Sequence, residues 1–123
     1  MKILIIEDNP QNMKLAAAIL EKTGYEVLKA SEADSGIALA RQEVPDAILM
    51  DIQLPGMDGL TATKLLKGDR ATREIPVIAL TAFAMKGDRE RMIEIGCDDY
   101  VSKPIRYKEF LATVQEWAPL DEG

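Results

Sequence analysis

The chain contains no histidine, which removes Ser-His and Cys-His nucleophile pairs and most zinc sites at once. It also removes any phosphohistidine of its own, so a phosphoryl group used here must arrive from outside. One cysteine, Cys97, cannot close an intrachain disulfide; no metal-ligand spacing surrounds it in Gly96-Cys97-Asp98, and it reads as a small apolar filler. Basic residues are in deficit, 15 against 21 acidic, and the formal charge of −6 opposes nonspecific attraction to phosphate backbones. Direct nucleic-acid binding is therefore not expected. No apolar run approaches the ~18 residues needed to span a membrane. The start, Met1-Lys2, four apolar residues and then Glu7-Asp8, is too short and too quickly charged for a signal peptide, so a cytoplasmic protein is expected.

What remains is 123 residues of ordinary hydrophobic content, 47%, enough for one core. No internal repeat, low-complexity tract or linker interrupts it, and a single domain over residues 1–123, with no output domain, is expected.

Short apolar runs stop on reactive side chains. Leu4-Ile5-Ile6 runs into Glu7-Asp8, Ile48-Leu49-Met50 into Asp51, Val77-Ile78-Ala79-Leu80 into Thr81, and the weaker Tyr100-Val101-Ser102 into Lys103-Pro104. If these are strands of one parallel sheet, all of these ends meet at its carboxyl edge, where open α/β sheets keep their ligand sites.

The intervening segments read as helices. Asn9 caps a first helix with Pro10 in its first turn; Ala16, Ile19 and Leu20 keep helical spacing, and Thr23-Gly24 stops it. Tyr25 to Ala30 reads as a strand, and a second helix runs from Ser31 or Ala33 through Ile37, Ala38 and Arg41, with Pro45 ending the connection. Ala47 to Met50 is apolar on both faces and belongs in the middle of the sheet. Pro55 to Gly59 reads as a loop, Thr61 to Lys67 as a helix with Gly68 as its C-cap, and Asp69 to Glu74 as a polar loop. Phe83 to Ile95 is expected to be helical, with fraying near Lys86-Gly87-Asp88. A short strand near Asp99 to Ser102 and a last helix from Tyr107 to Trp117, with Phe110, Leu111, Val114 and Trp117 as its apolar stripe, complete the chain. Strands alternating with helices argue for an α/β fold with a parallel sheet and right-handed crossovers.

Carboxylates crowded at Glu7, Asp8 and Asp51 repel by roughly 4 kcal/mol for a pair near 4 Å at an effective dielectric of about 20. Lys103 offsets one charge, and a hard divalent ion such as Mg²⁺, with Mn²⁺ able to substitute, offsets two more. The expected ligands are Asp8, Asp51 and the backbone carbonyl of Gln53, with Glu7 behind them. A metal, a lysine and a hydroxyl around one carboxylate also describe a phosphoryl-transfer site, with Asp51 as acceptor and Lys103 and Thr81 on the phosphoryl oxygens.

Four motifs together resemble the receiver domain of two-component response regulators: Ile6-Glu7-Asp8-Asn9, Leu49-Met50-Asp51 through Gly59, Leu80-Thr81-Ala82, and Asp98-Asp99-Tyr100-Val101-Ser102-Lys103-Pro104-Ile105. Each is weak alone; in this order they are specific. The stretch Thr81 to Asp88, with Asn9 and Asn12-Met13-Lys14, is similar to the stand-alone DivK-like cell-cycle regulators and to the receivers of hybrid histidine kinases. The resemblance implies a flavodoxin-like (βα)5 fold with sheet order 2-1-3-4-5 and helices on both faces. It implies a phosphoryl group delivered to Asp51 by a sensor histidine kinase or a histidine phosphotransfer protein, and a cis Lys103-Pro104 bond. It further implies that Thr81 and the ring of Tyr100 move on phosphorylation, changing the surface of the fourth helix, fifth strand and fifth helix for a downstream protein target. Gln53 and Phe83 occupy places that influence hydrolysis in that family.

Asn12, Leu15 and Ala18 recur on the side of the first helix away from Ala16 and Ile19, and with Ile105, Arg106 and Tyr107 they are the expected kinase-facing residues. A monomer is expected. A single-domain regulator is expected, with a receiver from a hybrid histidine kinase as the alternative reading. Two readings from other classes fit less well. An aspartate-nucleophile phosphatase of the haloacid dehalogenase type favours a second Asp where Gln53 stands, and a flavin or dinucleotide carrier wants a glycine-rich turn where Glu7-Asp8-Asn9-Pro10 stands.

Overall fold

A computed structural model describes residues 1–82 and 86–120. Its elements are β1 (Lys2–Ile6), α1 (Pro10–Thr23), β2 (Glu26–Ala30), α2 (Ala33–Glu43), β3 (Ala47–Asp51), α3 (Gly59–Lys67), β4 (Val77–Thr81), α4 (Lys86–Ile95), β5 (Asp99–Ser102) and α5 (Tyr107–Trp117). All strand pairs are parallel, in the order β2-β1-β3-β4-β5. The expected α/β architecture and strand order are thus observed. The expected start of the fourth helix at Phe83 lies outside the described residues.

Alternation along the strands divides the core in two. Leu4, Ile6, Ile48, Met50, Val77 and Ala79 face one side with residues of α2, α3 and α4. Ile3, Ile5, Ala47, Leu49, Ile78 and Leu80 face the other with α1 and α5. β3 and β4 are buried along their whole length, which is why their sequences are continuous apolar runs. A buried bond of 2.6 Å from the Tyr25 hydroxyl to the Ala118 carbonyl ties the end of α5 to the entrance of β2.

The helix ends follow local chemistry. The Asn9 side chain accepts from the N–H groups of Gln11 and Asn12, and Gly24 closes α1 in the left-handed region at φ 118°. α3 starts two residues earlier than its sequence suggests, because Asp58 caps it by accepting from Thr61 N–H at 2.8 Å. Trp117 does not complete the buried stripe of α5. Phe110 and Val114 are buried, but Trp117 is 36% exposed and donates its indole N–H to Asp99.

Val44 ends α2 at φ 44°, a conformation that costs an L-residue about 1–2 kcal/mol and suits a β-branched one least. Because its side chain is 55% exposed, little burial is lost on removing it. Val44→Gly is expected to stabilise the fold by about 0.5–1 kcal/mol after the larger chain entropy of unfolded glycine is deducted. Urea denaturation should show a higher midpoint at unchanged slope; an equal or lower midpoint contradicts the assignment of strain.

Candidate functional site

The carboxyl edge of the sheet gathers the expected side chains. Glu7 follows β1, and its N–H still donates to Ala30 O at 3.0 Å, so the strand pairing holds it in place. Asp51 is the last residue of β3 and Thr81 the last of β4, buried to 2% and 3% exposure respectively. Lys103 follows β5, with its N–H on Thr81 O at 2.7 Å, and the Lys103-Pro104 peptide is cis.

Lys103 Nζ stands 3.0 Å from Glu7 Oε1 and 3.1 Å from Asp51 Oδ1, bridging two carboxylates that are almost without solvent. Each carboxylate also accepts a backbone N–H two residues on: Asn9 N–H to Glu7 Oε2 at 3.1 Å, and Gln53 N–H to Asp51 Oδ1 at 3.0 Å. Glu7 Oε1 is buried and lies within ion-pair range of Lys103 but outside hydrogen-bond geometry. Burial raises the Asp51 carboxyl to about 7, and its hydrogen bond with Glu7 adds to the rise, against the pull of the Gln53 N–H. Burial pushes Glu7 upward as well, but its interaction with the Asp51 carboxyl, the Lys103 ammonium beside it and the Asn9 N–H together outweigh burial and hold Glu7 below its usual range. Burial opposes the Lys103 charge, and the two carboxylates more than compensate, so its pKa is raised. The same set of contacts thus pushes the two carboxyls apart, Asp51 upward and Glu7 downward.

A cation fits this edge. Oxygens of Glu7, Asp8 and Asp51 lie within 4.8 Å of one another, and Asp8 is exposed where the other two are buried. Three carboxylates against one ammonium leave excess negative charge and an under-satisfied buried oxygen, the donor set a hard divalent ion takes.

The remaining expected residues are spread around this edge. Gln53 lines a cleft with Ile52, Leu60 and Thr81 below and Asp88, Arg91 and Met92 of α4 above. Tyr100 is half-buried, packed on the core side that α4 covers, and its hydroxyl accepts from Arg89 at 3.1 Å. On α1, Leu15 is 44% exposed, Ala18 is exposed and Asn12 half-buried. Arg106 and Tyr107 are exposed, whereas Ile105 packs on the same core cluster as Met13 of α1. Phe83 lies outside the described residues. Cys97 is buried near Thr63, and burial pushes its thiol up, as an inert filler requires.

Sequence reasoning missed Gly59, read only as loop. A Cβ there would run into the carbonyl oxygen of Asp51 and lie 2.8 Å from Ile52 Cα, so only glycine lets α3 start against the end of β3. The Asp58-Gly59 pair ahead of a helix was the available signal. It also missed Arg89, because one charge among several on a solvated helix gives no signal.

Comparison with known proteins agrees with this geometry. The family model described as response regulator receiver domain matches residues 3–115. The polar-differentiation response regulator DivK of Brucella ovis is 50% identical over 115 residues, 94% of each chain. Among solved structures, the receiver domain of a sensor histidine kinase from Pseudomonas aeruginosa PAO1, which has a magnesium ion coordinated in its active-site cleft, superposes with a TM-score of 0.87 at 39% identity, covering 94% of this chain and 95% of that one. The BeF3-activated N-terminal receiver domain of Klebsiella pneumoniae RstA gives a TM-score of 0.88 at 30% identity, covering 98% and 100%. Among the described residues no helix is long and apolar enough to cross a membrane.

Proposed function

This chain belongs to the response regulator receiver domain family, and on that premise we propose that Asp51 accepts a phosphoryl group from a histidine kinase or histidine phosphotransfer protein. The observation that carries the reading is the buried carboxylate of Asp51, bridged by Lys103 to Glu7 and open to the exposed Asp8. One Asp51 oxygen attacks phosphorus as the donor's bond to phosphorus breaks, and the donor imidazole leaves with a proton from solvent. Lys103 shifts from carboxylate to phosphoryl oxygen, and Thr81 donates its hydroxyl to another. Asp8, Asp51 and the Gln53 carbonyl, with Glu7 behind, would hold Mg²⁺ or Mn²⁺, which would supply charge neutralisation for the transfer. The added charge of about −2 draws Thr81 toward the phosphate and the Tyr100 ring inward, altering the α4, β5 and α5 surface read by a partner protein. The likeness to DivK over 94% of each chain supports a signalling module rather than a turnover enzyme, and the kinase-facing residues would be Asn12, Leu15, Ala18, Ile105, Arg106 and Tyr107.

Incubation with a small acyl phosphate and Mg²⁺, followed by intact mass measurement, should give one alkali-labile phosphoryl adduct on wild type and none on Asp51→Asn. Equal adduct on the variant, or none on wild type even with a competent kinase present, overturns the assignment.

A further inference from the structure

Tyr100 pairs in register with Ala79, and Thr81 pairs with Ser102. Alternation places Ala79, Thr81 and Tyr100 on one face of the sheet, so the ring is rooted about two residues, ~7 Å, short of the Thr81 level. Tyr100 nevertheless lines a shallow cleft on the open edge of β5, with Asp99, Ser102, Glu109 and Thr113. Two sets of contacts fix it there. Its backbone is pinned from the α5 side, because Asp99 Oδ1 accepts the Tyr100 N–H at 2.8 Å while Asp99 Oδ2 accepts the Trp117 indole N–H at 2.8 Å. Its ring is held from the α4 side, where Arg89 Nη1 donates to the hydroxyl at 3.1 Å and the guanidinium carbon stands 5.7 Å from the ring centroid.

We propose that Arg89 is a positioning residue which holds the Tyr100 ring at the β5 edge and thereby sets how readily the domain reaches its phosphorylated conformation. The second half rests on the phosphoacceptor reading above. With the strand pinned by Asp99, the ring's own rotation is the freedom left, and Arg89 supplies a hydrogen bond and a cation–π contact to one rotamer only. Stabilising the rotamer that Arg89 holds lowers the share of any other, and a phosphorylated conformation that turns the ring must overcome that bias.

Two measurements separate the hold from its consequence. In resting, metal-free protein, the Tyr100 ring resonances, assigned by their loss in Tyr100→Phe, should move in Arg89→Ala and return close to wild type in Arg89→Lys, whose ammonium keeps a donor and a cation over the ring. With a small acyl phosphate and Mg²⁺, Arg89→Ala should gain the Asp51 adduct roughly two- to fivefold faster, the factor an exposed contact of this kind is worth. The same change in a Tyr100→Leu background should have no further effect. Unmoved ring resonances in Arg89→Ala overturn the hold, and an unchanged rate, or an acceleration that persists in Tyr100→Leu, overturns its consequence. A wild type that takes no adduct while the resonances move sinks the phosphoacceptor reading and the consequence with it, and leaves the hold standing.

Discussion

Lys103→Met in metal-free protein at pH 8 is expected to lose about 3 kcal/mol of stability, the order found when one partner of a buried charge pair is removed. Glu7 and Asp51 are each nearly without solvent, and Lys103 is the cation within 3.1 Å of both. Among the described residues, truncating it leaves two carboxylates facing each other with only their backbone N–H donors. Adding Asp51→Asn removes one of those charges, so the double variant should recover most of the loss, and the cycle measures the coupling directly. The sign with pH follows from Asp51, whose folded pKa of about 7 lies above its ordinary value of 3.8. Between those values the folded state binds more protons than the unfolded one, so this group's contribution is full at low pH and is lost as pH rises through about 7. Glu7, held low, works the opposite way and loses its contribution only as pH falls through its folded value. Removing Lys103 extends the Asp51 window upward, so the deficit should shrink when the pH is lowered from 8 to 6. Urea midpoints at both pH values check this. A deficit independent of pH, or one that Asp51→Asn leaves unrepaired, means that Lys103 acts by packing alone.

The sheet and the residues at its edge were legible because both depend on local pattern. A run buried on both faces is apolar throughout, as in β3, and a parallel sheet must bring its carboxyl ends together wherever its helices lie. Features that depend on close approach left no such trace. Val44 adopts a left-handed conformation because α2 must end before Pro45 and Asp46 must reach Lys2 N–H, at 2.8 Å, to start β3. Trp117 fits a helical stripe in sequence, yet its indole N–H needs an acceptor, and Asp99 on the sheet edge holds it at the surface. Arg89 acquires meaning only through a ring on another element.

Gly59 is the strongest case of that kind, and Gly59→Ala is expected to lose about 2–3 kcal/mol together with most phosphoryl acceptance at Asp51. The Gly59 N–H donates to Ile52 O at 3.0 Å, which presses the first turn of α3 against the very residues that follow the acceptor. The obstruction to a Cβ is the backbone of Asp51 and Ile52, and backbone cannot rotate aside as the end of a side chain can. Relief requires α3 to retreat or β3 to shift. Either movement carries the Gln53 N–H away from Asp51 Oδ1 and the acceptor away from Lys103. A displacement of this size costs far more in transfer than in folding, since phosphoryl transfer depends on alignment. Gly87 supplies the control, because a Cβ there meets nothing within 4 Å and the residue lies in α4. Gly87→Ala should therefore raise stability by about 0.5–1 kcal/mol through helix propensity and leave the adduct yield unchanged. If Gly59→Ala unfolds at the wild-type urea midpoint and takes the phosphoryl group at the wild-type rate, the tight junction between α3 and β3 is not what places Asp51.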